Sequence, residues 1–163
     1  MMFEERDKAR LLANLKSLPN ELHDLVVGMS DDELRWRPIP NKWSVAEIIV
    51  HLRDVEREVF QVRLRRTLFE DRPVFELWDQ DRAAIERNYL AQSPTQALQE
   101  FHDLRYETVA FLESAPLDHW QRVGDHPSRG SKTLVELVTF QIKNHDLTHM
   151  IQIKDILRIK MPW

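Results

Sequence analysis

Apolar residues recur at spacings of three and four over most of the chain, which is the period of an α-helix that buries one face. Leu11, Leu12, Leu15, Leu18, Leu22, Leu25 and Val26 mark a first helix from about Glu4 to Val27. Pro19 is expected to bend it, since proline lacks a backbone donor and crowds the preceding turn, and Gly28 is placed to close it in the left-handed conformation. A single turn from Ser30 and the extended segment RPIPNKW lead to a second helix. It starts at Ser44, carries Val45, Ile48, Ile49, Leu52, Val55, Val59 and Phe60 on one face, and continues to about Phe69. Weak periodicity between Glu76 and Tyr89 predicts a short crossing helix. Ala97, Phe101, Leu104, Thr108, Phe111 and Ala115 form the next face, from Pro94 to Ala115, and Pro116 stops it. The last helix spans Leu134 to Leu157 on Leu134, Leu137, Val138, Gln141, Ile142, Ile153, Ile156 and Leu157.

Helix starts are explicit. Ser30 with Glu33, Ser44 with Glu47, Ser93 with Gln96 and Thr133 with Glu136 each place a hydroxyl at the cap and an acid or amide three residues on. In that arrangement each side chain satisfies the other residue's orphan backbone N–H. Four long helices with unequal connections predict an all-α fold, a four-helix bundle with longer crossover connections, occupying residues 1–163 as one domain.

Composition narrows the chemistry. A chain of 163 residues can bury a sizeable core without a metal or a disulfide. With no Cys, a disulfide framework, a thiolate nucleophile, an iron–sulfur cluster and a zinc finger are all excluded, so any transition metal must rest on imidazole and oxygen. Three Gly are too few for phosphate-cradling loops. Lys and Arg number 23 against 27 Asp and Glu, a net charge of −4 with the basic residues scattered, which argues against a nucleic-acid partner. No apolar run approaches the length of a membrane span, and the start MMFEERDKARLL is unlike a signal peptide; a cytoplasmic protein without membrane contact is expected.

The last helix interrupts its apolar face with Gln141, His145, Thr148, His149 and Gln152. His145 and His149 are four apart, so their rings stack on one face and can reach one ion. His51 lies on the edge of the core-facing stripe of the second helix and is the natural third ligand. Three imidazoles with coordination positions left over form the open arrangement of a catalytic metal site, in which Zn, Ni, Fe, Co or Mn fits equally. Such an ion lowers the pKa of a bound water or thiol. Asp54, one turn after His51, and Asp146, beside His145, are placed to orient the imidazoles. Gln141 and His126, the latter in the loop VGDHPSRGSK, are candidates to approach the ion or its substrate. The spacing alone serves a metal pair and two satisfied core histidines equally. His23, His102 and His119 read as solvated, Trp36 and Trp43 as core anchors. Arg57, Arg63, Arg65 and Arg66 read as solvated partners of Glu56, Glu58 and Glu70 rather than as an anion site.

The stretch PIPNKWSVAEIIVHLRDVE (Pro38–Glu56), followed by NHDLTHMIQI (Asn144–Ile153), resembles the DinB-like (DinB/YfiT) superfamily. The resemblance implies a four-helix bundle with a His triad near one end, holding a divalent ion such as nickel or zinc, and a homodimer. By position the triad falls on His51, His145 and His149. Some members are thiol-dependent S-transferases or isomerases that use low-molecular-weight bacterial thiols; others are named as hydrolases. Two functions follow as expectations. One is a metal-dependent enzyme, a small-thiol S-transferase or a hydrolase, acting on a small-molecule substrate with a low-molecular-weight thiol as a possible cosubstrate. The other is a non-catalytic, metal-stabilised dimerisation or stress-response module.

Overall fold

Ser44 starts the helix that matters most. Its Oγ accepts the Glu47 N–H at 3.2 Å, Glu47 accepts the Ser44 N–H at 2.9 Å, and Arg37 then holds the Glu47 carboxylate. Ser30 and Thr133 make the same reciprocal box. At Ser93 only half of it forms, because the Gln96 amide donates to Glu100 instead.

The computed structural model describes residues 3–160. In it α1 (Glu5–Val26) continues through the Pro19 position as one helix, and Gly28 follows with φ +82°. After the short α2 (Asp31–Leu34), the second rod is α3 (Val45–Val55), a π turn over Glu56–Phe60 and α4 (Gln61–Phe69). The short helix α5 (Gln80–Glu86) precedes the third rod, α6 (Pro94–Ser114). The fourth rod is α7 (Leu134–Phe140), a π turn over Gln141–Asp146 and α8 (Leu147–Lys160). α6 packs between α1 and α3, α8 against α3 and α7 against α4, so the rods form a four-helix bundle with long connections. Among the described residues no helix is long and apolar enough to cross a membrane.

Four expectations are corrected. The loop before the last rod is a β-hairpin, β1 (Val123–His126) antiparallel to β2 (Gly130–Thr133), with Gly130 at φ +70°. The segment from Pro73 to Phe75 is extended and lies beside it: Phe75 N–H donates to Asp125 O at 2.9 Å and Asp125 N–H to Pro73 O at 2.8 Å. The crossing helix expected over Glu76–Tyr89 is confined to α5, since residues 76–79 are not helical. On α6 the expected Ala97, Phe101 and Thr108 are buried, but Arg105, Val109 and Leu112 complete the face in place of Leu104 and Phe111, which lie at its margin. Trp43 packs on the core as expected, whereas Trp36 is 38% exposed and lies outside the core clusters of the described residues.

The core is in two parts. One joins Leu18, Leu22, Ile48, Leu52, Phe101 and Ile153; the other joins Leu12, Leu15, Phe60, Leu64, Leu112 and Val138. The break falls at the two π turns, where the polar groups His51, Glu56, Arg105, Gln141 and Asp146 are buried. A π turn shifts the phase of the side chains that follow it, and such turns are frequent at functional sites.

Candidate metal centre

His51 comes from the middle of α3, His145 from the π turn and His149 from the first turn of α8. Their ring nitrogens gather within 4.8 Å of one another. His51 is 1% exposed and His149 7%, while the His145 side chain, at 15%, borders the solvent. The ring centroids are 5.2, 4.6 and 4.7 Å apart, and Trp43 closes over His51 at 5.0 Å.

The outward nitrogens decide which atoms face inward. His149 Nδ1 lies 2.8 Å from Gln152 Oε1, an acceptor, so Nδ1 carries the proton and Nε2 keeps its lone pair. His145 Nδ1 lies 3.2 Å from Asp146 Oδ1, which sets the same tautomer. Gln141 donates to that carboxylate oxygen at 3.1 Å and lies 3.0 Å from His145 Nδ1. His51 Nε2 and His145 Nε2 approach to 3.1 Å, and His51 Nδ1 is buried without a partner among the described residues. His145 Nε2 therefore turns a lone pair toward His51 Nε2, an arrangement that either the His51 N–H or a cation between the rings satisfies; the clustered imidazole nitrogens fit a divalent ion.

Protonation does not compete. Burial first, and then the neighbouring imidazoles His145 and His149, pull the His51 pKa down to about 2. Burial and His145 bring His149 to about 4. Both rings are therefore neutral at ordinary pH, the form in which imidazole binds metals.

The other candidates divide. Asp146 does reach His145, and it is tied behind to Arg105 at 2.7 Å. Arg105 also holds Glu56 at 2.9 Å, and all three are buried. Glu56 is thus not a solvated partner of nearby arginines. Asp54 is buried but orients no triad ring: its partners among the described residues are Arg53, Arg87 and Tyr89. The hairpin carries His126 to a cleft of about 290 Å³ whose wall also includes His51, His145 and Gln141. Apolar periodicity does not single out Arg105, although the spacing Phe101, Arg105, Thr108, Leu112 places it on one helical face.

Comparison with known proteins agrees with this architecture. A protein of Geobacillus thermodenitrificans named "Putative metal-dependent hydrolase" is 27% identical over 149 residues, covering 88% of this chain and 82% of that one. YuaE of Bacillus subtilis, named as uncharacterised, is 25% identical over 143 residues, 79% of this chain and 86% of that one. Among solved structures, YfiT from Bacillus subtilis superposes with a TM-score of 0.87 at 21% identity, over 98% of this chain and 90% of that one. It is described as "a probable metal-dependent hydrolase with an unusual four-helix bundle topology". The family model for the DinB superfamily matches residues 14–153, a span that takes in both π turns and all three histidines, and the chain belongs to that superfamily.

Proposed function

We propose that this protein is a metal-dependent enzyme in which His51, His145 and His149 hold one divalent ion, and that it hydrolyses a small molecule or transfers a small thiol to one. The observation that carries this reading is the convergence of three neutral imidazoles, two of them on the wall of an open cleft. A divalent ion supplies Lewis acidity there, lowering the pKa of a water or thiol and making a nucleophile available near neutral pH.

The chain's own residues do the rest. Gln152 and Asp146 fix the tautomers of His149 and His145. Arg105 holds Asp146 ionised, so its carboxylate stays an acceptor. Val55, Val59, Phe60 and Leu137 form the apolar side of the cleft, which limits water beside the triad. His126 Nδ1 accepts the Ser128 N–H at 3.2 Å, which leaves Nε2–H as the donor that a substrate in the cleft would meet. The names of the relatives favour hydrolysis; with no Cys in the chain, a thiol would have to come as a cosubstrate.

The test loads the chain with Zn, Ni, Mn, Fe and Co in turn. Each form is assayed against ester and amide panels, and against electrophiles with small thiols. Turnover that disappears in His149→Ala is the expected result. Stoichiometric metal with no turnover on any substrate, and a raised melting temperature as its only effect, would leave a metal-stabilised module. The same proposal includes a cytoplasmic homodimer with no nucleic-acid partner, for which light scattering on the purified chain should give twice the chain mass.

A further inference from the structure

The basic segment of the second rod separates in three dimensions. Arg57 pairs with Glu100 at 3.1 Å and Arg66 with Glu70 at 2.9 Å, while Arg65 lies over the Phe111 ring. Arg63 does something else. It lines the cleft that His51 and His145 border, and among the described residues it has no carboxylate within salt-bridge distance. One of its nitrogens donates to the Glu76 carbonyl at 3.0 Å, and its guanidinium lies over Phe75.

A second free arginine joins it from the hairpin. Arg129 lines the same cleft with its guanidinium 4.0 Å from the Phe140 ring centroid, and it too has no carboxylate partner among the described residues. Lys132 is a third cation on this wall. Its contact is Glu136 at 3.8 Å, whose carboxylate already accepts the Thr133 backbone N–H and hydroxyl. Glu136 is the one acid among the described lining residues. A chain of net charge −4 has therefore concentrated unpaired positive charge beside its triad.

These groups feel one another. Burial first, then Arg129, pulls the Arg63 pKa down; burial, then Arg63 and Arg129, does the same to His126. Like charges held together uncompensated are a cost that a bound anion removes. Donors are also waiting: His126 is 7% exposed with its Nδ1 already occupied, and Trp78, another wall residue, has a buried Nε1–H with no partner among the described residues.

We propose that this cleft recognises a small substrate through an oxyanion, a carboxylate or phosphate, gripped by Arg63 and Arg129 with His126 Nε2–H as a further donor. A planar guanidinium held over an aromatic ring can still turn N–H groups toward an anion's oxygens; Arg63 keeps those not used by the Glu76 carbonyl. A volume of about 290 Å³ suits a small molecule. That the rest of the molecule lies toward His51 and His145 rests on the proposed function above; the anion site itself does not.

The test is isothermal titration of the full chain with inorganic phosphate and, separately, with malonate, at low ionic strength. Each titration is run on zinc-loaded protein and on protein stripped over a chelating resin. Saturable binding of at least one anion is expected in both forms, weakened about tenfold or more by Arg129→Gln or Arg63→Gln and unchanged by Arg57→Gln. Arg129 is exposed on the hairpin, so its variant remains informative if the Arg63 variant fails to fold. No saturable binding of either anion, or binding that needs zinc and ignores Arg129→Gln, would overturn the proposal. Anion binding by a chain that takes up no metal would support the site while refuting the metal reading.

Discussion

His51 shows what burial does to one ring. It is 1% exposed and its pKa is about 2, that of His149 about 4, against 6.5 for an unhindered histidine. Below pH 6.5 the unfolded chain binds protons that the folded, metal-free chain refuses, so stability is full above that pH and falls as the solution is acidified. Each ring costs up to ~1.4 kcal/mol per pH unit in that window. Urea denaturation of metal-stripped protein at pH 7.5 and 5.0 should show the loss, and a His51→Phe, His149→Phe double variant should flatten it. Equal midpoints for the parent at both pH values would contradict these pKa shifts. Arg105 is the complementary case, a fully buried cation between two carboxylates. Burial raises the Glu56 pKa; burial also opposes ionisation of Asp146, yet Arg105 prevails and holds it low. Arg105→Met strands both acids, with an expected cost of about 3–5 kcal/mol in urea unfolding. It should also weaken metal binding roughly tenfold or more, because a protonated Asp146 no longer holds His145 in place. The triad was legible in the sequence because polar residues interrupted an apolar face. Arg105 was not, because a stripe drawn through Leu104 instead of Arg105 still reads as a helix.

At the scale of elements, the caps were the most legible features, since a box needs only residues three apart and is indifferent to tertiary structure. The π turns were invisible to a three-and-four periodicity that continues on either side of them, although they place Glu56 and His145 between the two halves of the core. The hairpin was missed for a different reason. VGDHPSRGSKT has no apolar alternation, and its other partner, Pro73–Phe75, is remote in sequence. Gly124 is where the two meet: a side chain there would overlap the Phe75 ring. Gly124→Ala should therefore cost about 1–3 kcal/mol. Because β1 carries His126, the same change should also weaken anion binding. Thermal unfolding alongside phosphate titration checks both effects, and a variant indistinguishable from the parent in each would mean that the hairpin does not position the cleft.

For the whole molecule, the apolar periodicity was enough to indicate a bundle, while the split of its core into two parts emerges only when the rods are packed. A polar layer crossing the middle of a bundle costs stability unless each group in it has a partner. Here Arg105, Glu56 and Asp146 satisfy one another, Asp146 and Gln152 satisfy two of the imidazoles, and the proposed function assigns the inward nitrogens to an ion. That last assignment is the centre of the account, and its direct test is metal content by plasma mass spectrometry. Untagged chain purified without chelator is compared with the His51→Ala, His145→Ala, His149→Ala variant. Near-stoichiometric divalent metal in the parent and none in the variant is predicted; a parent that stays metal-free even after loading with Zn, Ni and Mn would contradict it.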